Sequence, residues 1–171
     1  SAISWGVFTI VLFIILNIFS CTKTETTEPE VVTVQDFLPV SEEIAGWPKG
    51  SDYWYATNND ELFAAINGEG AIYTSNGFVE AINQSYEGMI LGVDAYIIVR
   101  IFDQGNASNC KSLFDEIILQ LSNPINWSTN SDTEAIVERY PISQIVIFRN
   151  LEYYVSCSIN SEPDEALDIL K

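Results

Sequence analysis

The sequence predicts an α+β domain in which an antiparallel sheet, built from hairpins, is covered by one long amphipathic helix and several short helices. Three observations lead to this class. Apolar residues alternate along residues 91–102, alternate again on either side of a turn at Arg149-Asn150, and recur with helical spacing over residues 110–121. A sheet made of paired strands needs a cover for its apolar face, and the 110–121 pattern supplies one.

The elements are expected in chain order, each from its own local signal. Asn58, Asn59 or Asp60 can cap a short helix, Asn76-Gly77 can stop a helical turn, and Pro141 can end another helix. The predicted elements are helices over 61–66 and 71–74, strands over 78–86 and 91–102, helices over 110–121 and 132–140, a hairpin of 144–148 with 151–159, and a last helix over 162–171.

An uncharged apolar segment occupies residues 1–20, and residues 7–16 have the length of a signal-peptide core. The segment ends in Ile18-Phe19-Ser20-Cys21, close to the sequence that lipoprotein signal peptidase cleaves before a lipid-modified cysteine. We therefore expect residues 1–20 to be a signal peptide and Cys21 to be the lipidation site. An uncleaved transmembrane helix is the alternative, because about 18 apolar residues can span a bilayer.

The chain after the leader divides into a polar tether and one domain. Residues 21–30 hold the cysteine and a run of threonines, glutamates and a proline, which cannot bury a core and should stay extended. Residues 31–171 are expected to form a single α+β domain, exported and lipid-anchored in the cell envelope, on the periplasmic side or in the outer membrane. The start at Ser1 and the stop inside a predicted helix suggest a truncated sequence.

The charge of the chain restricts its partners. It carries 24 acidic and 7 basic residues, a formal net charge of −17, all of it after residue 20. Such a surface repels phosphate backbones, so we expect no nucleic-acid partner. The expected partners are the membrane, through the lipid anchor, and an unknown ligand or protein of the envelope.

Cys110 and Cys157 remain once Cys21 is assigned to the lipid. An exported compartment is oxidising and allows a disulfide between them. Both are expected on core-facing sides of their elements, where they could meet. Two buried free thiols are the alternative, since cysteine is a common core residue.

The residue types exclude most catalytic chemistry. The chain has no histidine, which removes Ser-His-Asp and Cys-His nucleophilic sites and His-ligated metals. It also lacks a phosphate-binding glycine loop, so we predict no catalytic residue, metal or cofactor. Carboxylate-dependent glycan hydrolysis stays open, with Glu69, Asp94 and Asp103 as candidates, although 24 acids will place some pair at a suitable separation by chance.

Aromatic and glycine-rich segments suggest where a ligand could bind. Trp47 and Trp54, with Tyr53 and Tyr55, could form a stacking platform, or they could form a hydrophobic cluster. The turn 103–106 could coordinate calcium through its oxygens, or it could simply join a strand to a helix. The candidate ligand-binding residues are Trp47, Trp54, Asn67, Glu69, Tyr73 and Asp103.

Three segments resemble a family of exported bacterial proteins classed as a domain of unknown function. They are Leu38-Pro39 followed by Gly46-Trp47, the glycine-rich stretch 67–78, and the strand end 101–106. The chain departs from the family's pattern at Glu69, Asn76 and Phe102. The resemblance implies an exported α+β domain and brings no activity with it.

The sequence therefore predicts a membrane-tethered lipoprotein of the cell envelope with a non-enzymatic binding or accessory domain. A carboxylate-dependent glycan hydrolase is the alternative.

Overall fold

A computed structural model describes residues 32–41, 43–127, 133–162 and 164–170 of the chain. Thr33–Lys171 forms one compact unit, and three hydrophobic clusters lie within it. The predicted signal peptide, Cys21 and the tether fall outside the described residues. In the described ranges, no helix has the length and apolar character needed to cross a bilayer.

Seven strands form one antiparallel sheet in the order β1-β2-β3-β7-β6-β5-β4. Four α-helices accompany it in the described part of the chain, which confirms the α+β class. The elements are a 3-10 helix Val34–Phe37, β1 Lys49–Ala56, α1 Asn59–Ile66, α2 Gly70–Ser75, β2 Glu80–Ile90, β3 Val93–Asp103, α3 Ala107–Ile118, β4 Ile125–Asn126, β5 Glu134–Tyr140, β6 Ser143–Asn150, β7 Tyr153–Ile159 and α4 Asp164–Ile169.

The sheet is apolar on both faces. On the face that we call the helix face, Phe102 of β3 and Tyr154 of β7 pack against α1 and α3 through Leu62, Leu113 and Phe114. The opposite face, which we call the terminal face, is covered by residues near the two ends of the compact unit. There β3 and β7 pack against Val34, Leu38, Trp47 and Ala166.

One long amphipathic helix was predicted to cover the sheet, and this prediction is wrong. The longest helix in the described part of the chain is α3, with 12 residues. It begins after Asn106, whose side chain accepts a hydrogen bond from the N–H of Asn109 at 2.9 Å, and it ends at Ile118. Leu121, the last residue of the predicted stripe, lies beyond its end, so α1, α2 and α3 cover the helix face together.

The helix predicted over residues 132–140 is also wrong, because residues 134–140 form strand β5. Position 132 lies outside the described residues. Ile136 and Val137 pair with Ile147 and Val146 of β6, and all four side chains are buried. Pairing with a neighbouring strand decides between helix and strand where a short apolar run is compatible with both.

The possible disulfide between Cys110 and Cys157 is not formed, and both residues are free cysteines. Cys110 belongs to the cluster on the helix face, whereas Cys157 packs against the cluster on the terminal face. The sheet lies between the two clusters, so the expectation that the thiols could meet is wrong.

Candidate ligand-binding cavity

A cavity of about 610 Å³ lies between the terminal face of the sheet and the two chain segments that cover it. Its floor consists of alternate residues of β3 and β7, with contributions from β6. Its lining residues are Phe37, Pro39, Ile44, Ile97, Val99, Ile101, Phe148, Asn150, Leu151, Tyr153, Val155, Cys157, Ile169 and Leu170. Apart from Asn150, Tyr153 and Cys157, every lining side chain is apolar.

The period of two in β3 and β7 accounts for the floor. Ile97, Val99 and Ile101 point to one face because successive side chains of a strand alternate. Their partners across the pairing are Ile159, Cys157 and Val155, which extend the same apolar surface. The floor therefore follows from the alternation seen in the sequence.

Hydrogen bonds hold the N-terminal wall against the sheet. The hydroxyl of Tyr86 donates to the carbonyl oxygen of Pro39 at 2.8 Å, and the N–H of Val34 donates to Glu80 at 2.8 Å. Phe37 contacts Tyr153 edge to face, with ring centroids 4.9 Å apart. These contacts place Phe37 and Pro39 over the cavity. The N-terminal segment is therefore held in place by β2 and β7.

A polar row crosses the sheet at one end of the cavity, which we call the mouth. In this row Glu80 lies opposite Asp103, Asp103 opposite Tyr153, and Tyr153 opposite Asn150. Phe37 and Leu151 at the mouth are 47% and 62% exposed, whereas the floor residues of β3, Ile97, Val99 and Ile101, are buried. The mouth is thus the end at which the cavity meets solvent.

The mouth is acidic. Burial raises the pKa of Asp103, and the neighbouring charges of Glu152 and Glu80 raise it further, against the hydrogen bond that Asp103 accepts from the N–H of Gly105 at 2.6 Å. Burial also raises the pKa of Tyr153, and the same three carboxylates add to the effect. Carboxylates therefore dominate the electrostatic environment at this end of the cavity.

Cys157 lies in the floor of the cavity, where its thiol has low reactivity. Burial raises the pKa of its thiol to about 12, so the thiol stays protonated near neutral pH. It contributes apolar surface to the cavity, and its geometry gives no indication of nucleophilic chemistry.

A second cavity of about 710 Å³ lies on the helix face, beside the outer parts of β1, β2 and β3. It is more polar than the first and is lined by three carboxylates, Asp52, Glu87 and Asp94, together with Tyr96. These four side chains are exposed, so this cavity resembles a shallow surface depression.

Most of the predicted ligand-binding residues have structural roles. Trp47 is only 5% exposed, and a Cβ atom added at Gly88 would lie 2.6 Å from its ring, so Trp47 is a packed core residue. Trp54 contacts Phe102 edge to face, and Tyr73 stacks on Phe102 with centroids 4.0 Å apart. Burial raises the pKa of Tyr73 to about 12. Trp47 packs in the cluster on the terminal face and Trp54 against the cluster on the helix face, so the two tryptophans do not form one platform.

Asn67 and Glu69 lie at helix ends and are exposed. Asn67 ends α1 with a left-handed backbone, φ 48°, a conformation that asparagine tolerates, and Glu69 precedes α2. Of the six predicted residues, only Asp103 lies at the mouth of the apolar cavity. Phe37, Leu151 and Glu80 also lie at the mouth, and the sequence analysis did not identify them. For Leu151 a signal was available, because it is an apolar residue directly after the predicted turn at Arg149-Asn150.

The sequence left two interpretations of the turn 103–106, a calcium site or a strand-to-helix connection. The turn joins β3 to α3. Asp103 accepts from the N–H of Gly105, and Asn106 caps α3. Across the residues that the structure describes, no group of three or more His, Cys, Asp or Glu side chains is arranged to hold a metal ion. The calcium interpretation therefore receives no support from this turn.

Fold and cavity together define a single-sheet α+β domain with an apolar cavity on one sheet face. No family model and no curated protein matches the chain. The chain is similar to a solved structure, the extracellular domain of PknH from Mycobacterium tuberculosis, at 9% identity and a TM-score of 0.50. The match covers 79% of this chain and 89% of that one, and at this identity it shows the fold alone. The resemblance to a domain of unknown function stays a prediction.

Proposed function

We propose that this chain is an exported, lipid-anchored, non-enzymatic binding domain, and that its ligand is an apolar small molecule held in the cavity on the terminal face. The leader ending at Cys21 and the tether that follows support export and anchoring. The anchor would keep the cavity close to a membrane, where apolar ligands are concentrated.

The observation that carries the proposal is the apolar cavity itself. Small-molecule sites enclose roughly 300–1,000 Å³ and are lined mainly by hydrophobic side chains with a few polar groups. The cavity of about 610 Å³ meets both conditions, with Asn150 and Tyr153 as the polar groups at its mouth. The larger cavity on the helix face meets only the first, because exposed carboxylates dominate it.

A fluorescence titration tests this proposal. The probe is N-phenyl-1-naphthylamine, a neutral fluorophore that brightens in apolar surroundings, and the protein is residues 22–171, which retain the whole compact unit. We expect saturable binding, and we expect Val99→Phe, which fills the floor, to weaken it roughly tenfold or more. Val93→Phe is the matched control, because Val93 lies on the same strand but is 68% exposed and outside the cavity.

Two results would contradict the proposal. One is the absence of saturable binding to a chain whose folding is confirmed by circular dichroism. The other is equal binding by the Val99→Phe and Val93→Phe variants, which would place the probe elsewhere on the molecule.

The anchor is tested separately. Replacing Cys21 with serine removes the acceptor of the lipid, so the domain should move from the membrane fraction to the soluble fraction when it is expressed in a bacterial host. A variant that stays in the membrane fraction would indicate that residues 1–20 form an uncleaved transmembrane helix.

A second candidate function is carboxylate-dependent glycan hydrolysis, and one observation favours it: Asp52, Glu87 and Asp94 line the same polar cavity. Asp94 and Asp103, two of the three candidates from the sequence, lie at opposite ends of β3 and so do not form a catalytic pair. Release of reducing sugars from peptidoglycan, lost on Asp94→Asn but not on Asp103→Asn, would favour the enzyme. No release by the unmodified chain would remove this candidate.

A further inference from the structure

The mouth of the apolar cavity indicates which chemical class of ligand the domain takes. We propose that the ligand is an alkyl chain with a cationic head group, an amine or a quaternary ammonium, and that the head lies beside Asp103 and Glu152. This inference rests on the proposed function, because it specifies the ligand of the same cavity.

The position of the carboxylates relative to the apolar floor gives the first argument. Asp103 lies two residues from Ile101 on β3, so both side chains point to the terminal face. Tyr153 and Asn150 follow Asp103 in the polar row, each directly opposite its neighbour. Such neighbours are about 4.5–5.5 Å apart between Cβ atoms. The apolar floor therefore stops at this row, and an alkyl chain that lies on the floor would have its head group there.

The charge at the row gives the second argument. Asp103 lies directly opposite Tyr153 across the pairing of β3 with β7, Glu152 precedes Tyr153 in the chain, and Glu80 lies opposite Asp103, so the three carboxylates lie along the row at which the ligand's head would emerge. In the ranges that the structure describes, none of the three takes part in an ion pair. Glu80 already accepts hydrogen bonds from the N–H of Val34 and the hydroxyl of Tyr55, and it lies opposite Asp103 and not opposite Tyr153. Asp103 and Glu152 are therefore the carboxylates next to Tyr153 in the row.

The same charges disfavour the opposite ligand. A fatty-acid carboxylate or an anionic lipid head would meet three like charges at the mouth, and repulsion in a partly buried setting is screened less than in bulk water. The apolar floor does not discriminate between chains of equal length. Preference between ligands is thus expected to depend on the head group alone.

A displacement assay with three ligands of one chain length tests the proposal. Decyltrimethylammonium, 1-decanol and decanoate, each below its micelle concentration or solubility limit, compete with N-phenyl-1-naphthylamine for residues 22–171. We expect the cation to displace the probe at the lowest concentration, the alcohol next and the anion last. Two carboxylates beside the head group predict roughly a tenfold or larger ratio between the affinities for cation and anion.

Matched variants separate the mouth from the overall charge, because a chain with a net charge of −17 attracts any cation. The double variant Asp103→Asn, Glu152→Gln removes two charges at the mouth, and its amide oxygens can still accept hydrogen bonds. If this double variant does not fold, the single variant Glu152→Gln replaces it. Asp52→Asn with Glu87→Gln removes two charges on the helix face. The mouth pair should lower the cation-to-anion ratio about fivefold, and the remote pair less than about twofold.

The outcomes distinguish this proposal from the function on which it rests. If the probe itself shows no saturable binding, the proposed function fails. If the probe binds but no decyl ligand displaces it, the alkyl ligand is excluded while the apolar cavity remains a binding site. If all three displace it equally, or if the mouth and remote pairs change the ratio alike, the cationic head group is excluded while the apolar cavity remains a binding site.

Discussion

Glu138 is a buried carboxylate that ties the loop after α3 to strand β5. Its Oε1 accepts hydrogen bonds from the N–H groups of Ser122 and Asn123 at 2.7 and 2.9 Å, and its Oε2 accepts from the hydroxyl of Tyr140. Burial alone would raise the pKa of Glu138, but these three hydrogen bonds outweigh it and hold the pKa below its usual value. The charged form is therefore the one that the fold stabilises.

We expect Glu138→Gln to lower the free energy of unfolding by about 1–2 kcal/mol at pH 7, because hydrogen bonds to a charged acceptor are stronger than those to a neutral one. Since the folded pKa is lowered, this contribution is complete above the ordinary glutamate pKa of about 4.3 and declines as the pH falls through the lower folded value. Denaturant unfolding at pH 7 and pH 3 should show a difference that shrinks on acidification. A pH-independent difference would contradict this account.

Gln104 is fully buried, and neither its side-chain oxygen nor its nitrogen has a partner among the described residues. An unpaired buried amide costs roughly 1–3 kcal/mol, so Gln104→Met, which keeps the length of the side chain, should raise the melting temperature. Gln84→Met is the matched control. The buried amide of Gln84 donates to the carbonyl oxygens of Gly50 and Ser85 at 3.0 and 2.8 Å, so its loss should lower the melting temperature. A destabilised Gln104→Met variant would show that its amide is satisfied in solution.

At the scale of elements, two hairpin turns place leucine in the left-handed backbone region. Leu91, in the β2–β3 turn, has φ 52°, and Leu151, in the β6–β7 turn, has φ 51°; both side chains are exposed. This conformation costs most residues about 1–2 kcal/mol and is tolerated better by asparagine. Leu91→Asn and Leu151→Asn should therefore each stabilise the fold by up to about 1 kcal/mol.

The two substitutions should differ in binding, because Leu151 lines the cavity mouth and Leu91 lines neither of the two larger cavities. Thermal unfolding and titration of N-phenyl-1-naphthylamine on the same samples check both expectations. Weaker probe binding by Leu151→Asn alone is the expected result, and equal binding by both variants would exclude Leu151 from the site.

Some elements could be predicted from the sequence because their signals are local. The alternation along β3 and the cap at Asn58, whose side chain accepts from the N–H of Glu61 at 3.0 Å, needed no distant partner. β5 could not be predicted, because its apolar run suits a helix until β6 pairs with it. The β6–β7 turn lies two residues later than expected, since leucine gives no turn signal.

At the scale of the whole molecule, the cavity depends on residues that are far apart in the sequence. Phe37 and Leu170 line the same space, and no periodicity relates them. The sequence did place apolar residues on β3 and β7, and it singled out Asp103, but only the packed chain shows that Asp103 lies at a cavity mouth. Of the aromatic residues that the sequence offered as a site, Trp47 packs in the cluster on the terminal face and Tyr55 packs against it, and Trp54 and Tyr73 pack against the cluster on the helix face.

Methyl NMR of residues 22–171 titrated with decyltrimethylammonium tests whether a ligand binds on the terminal face of the sheet. Saturable shifts are expected for the methyl signals of Val99, Ile101, Val155 and Ile169, which line the cavity. The methyl signals of Leu113, Ile136 and Ile147, buried on the helix face, should stay unchanged. Shifts confined to the helix face, or no saturable shifts at all, would show that no ligand binds in the cavity on the terminal face.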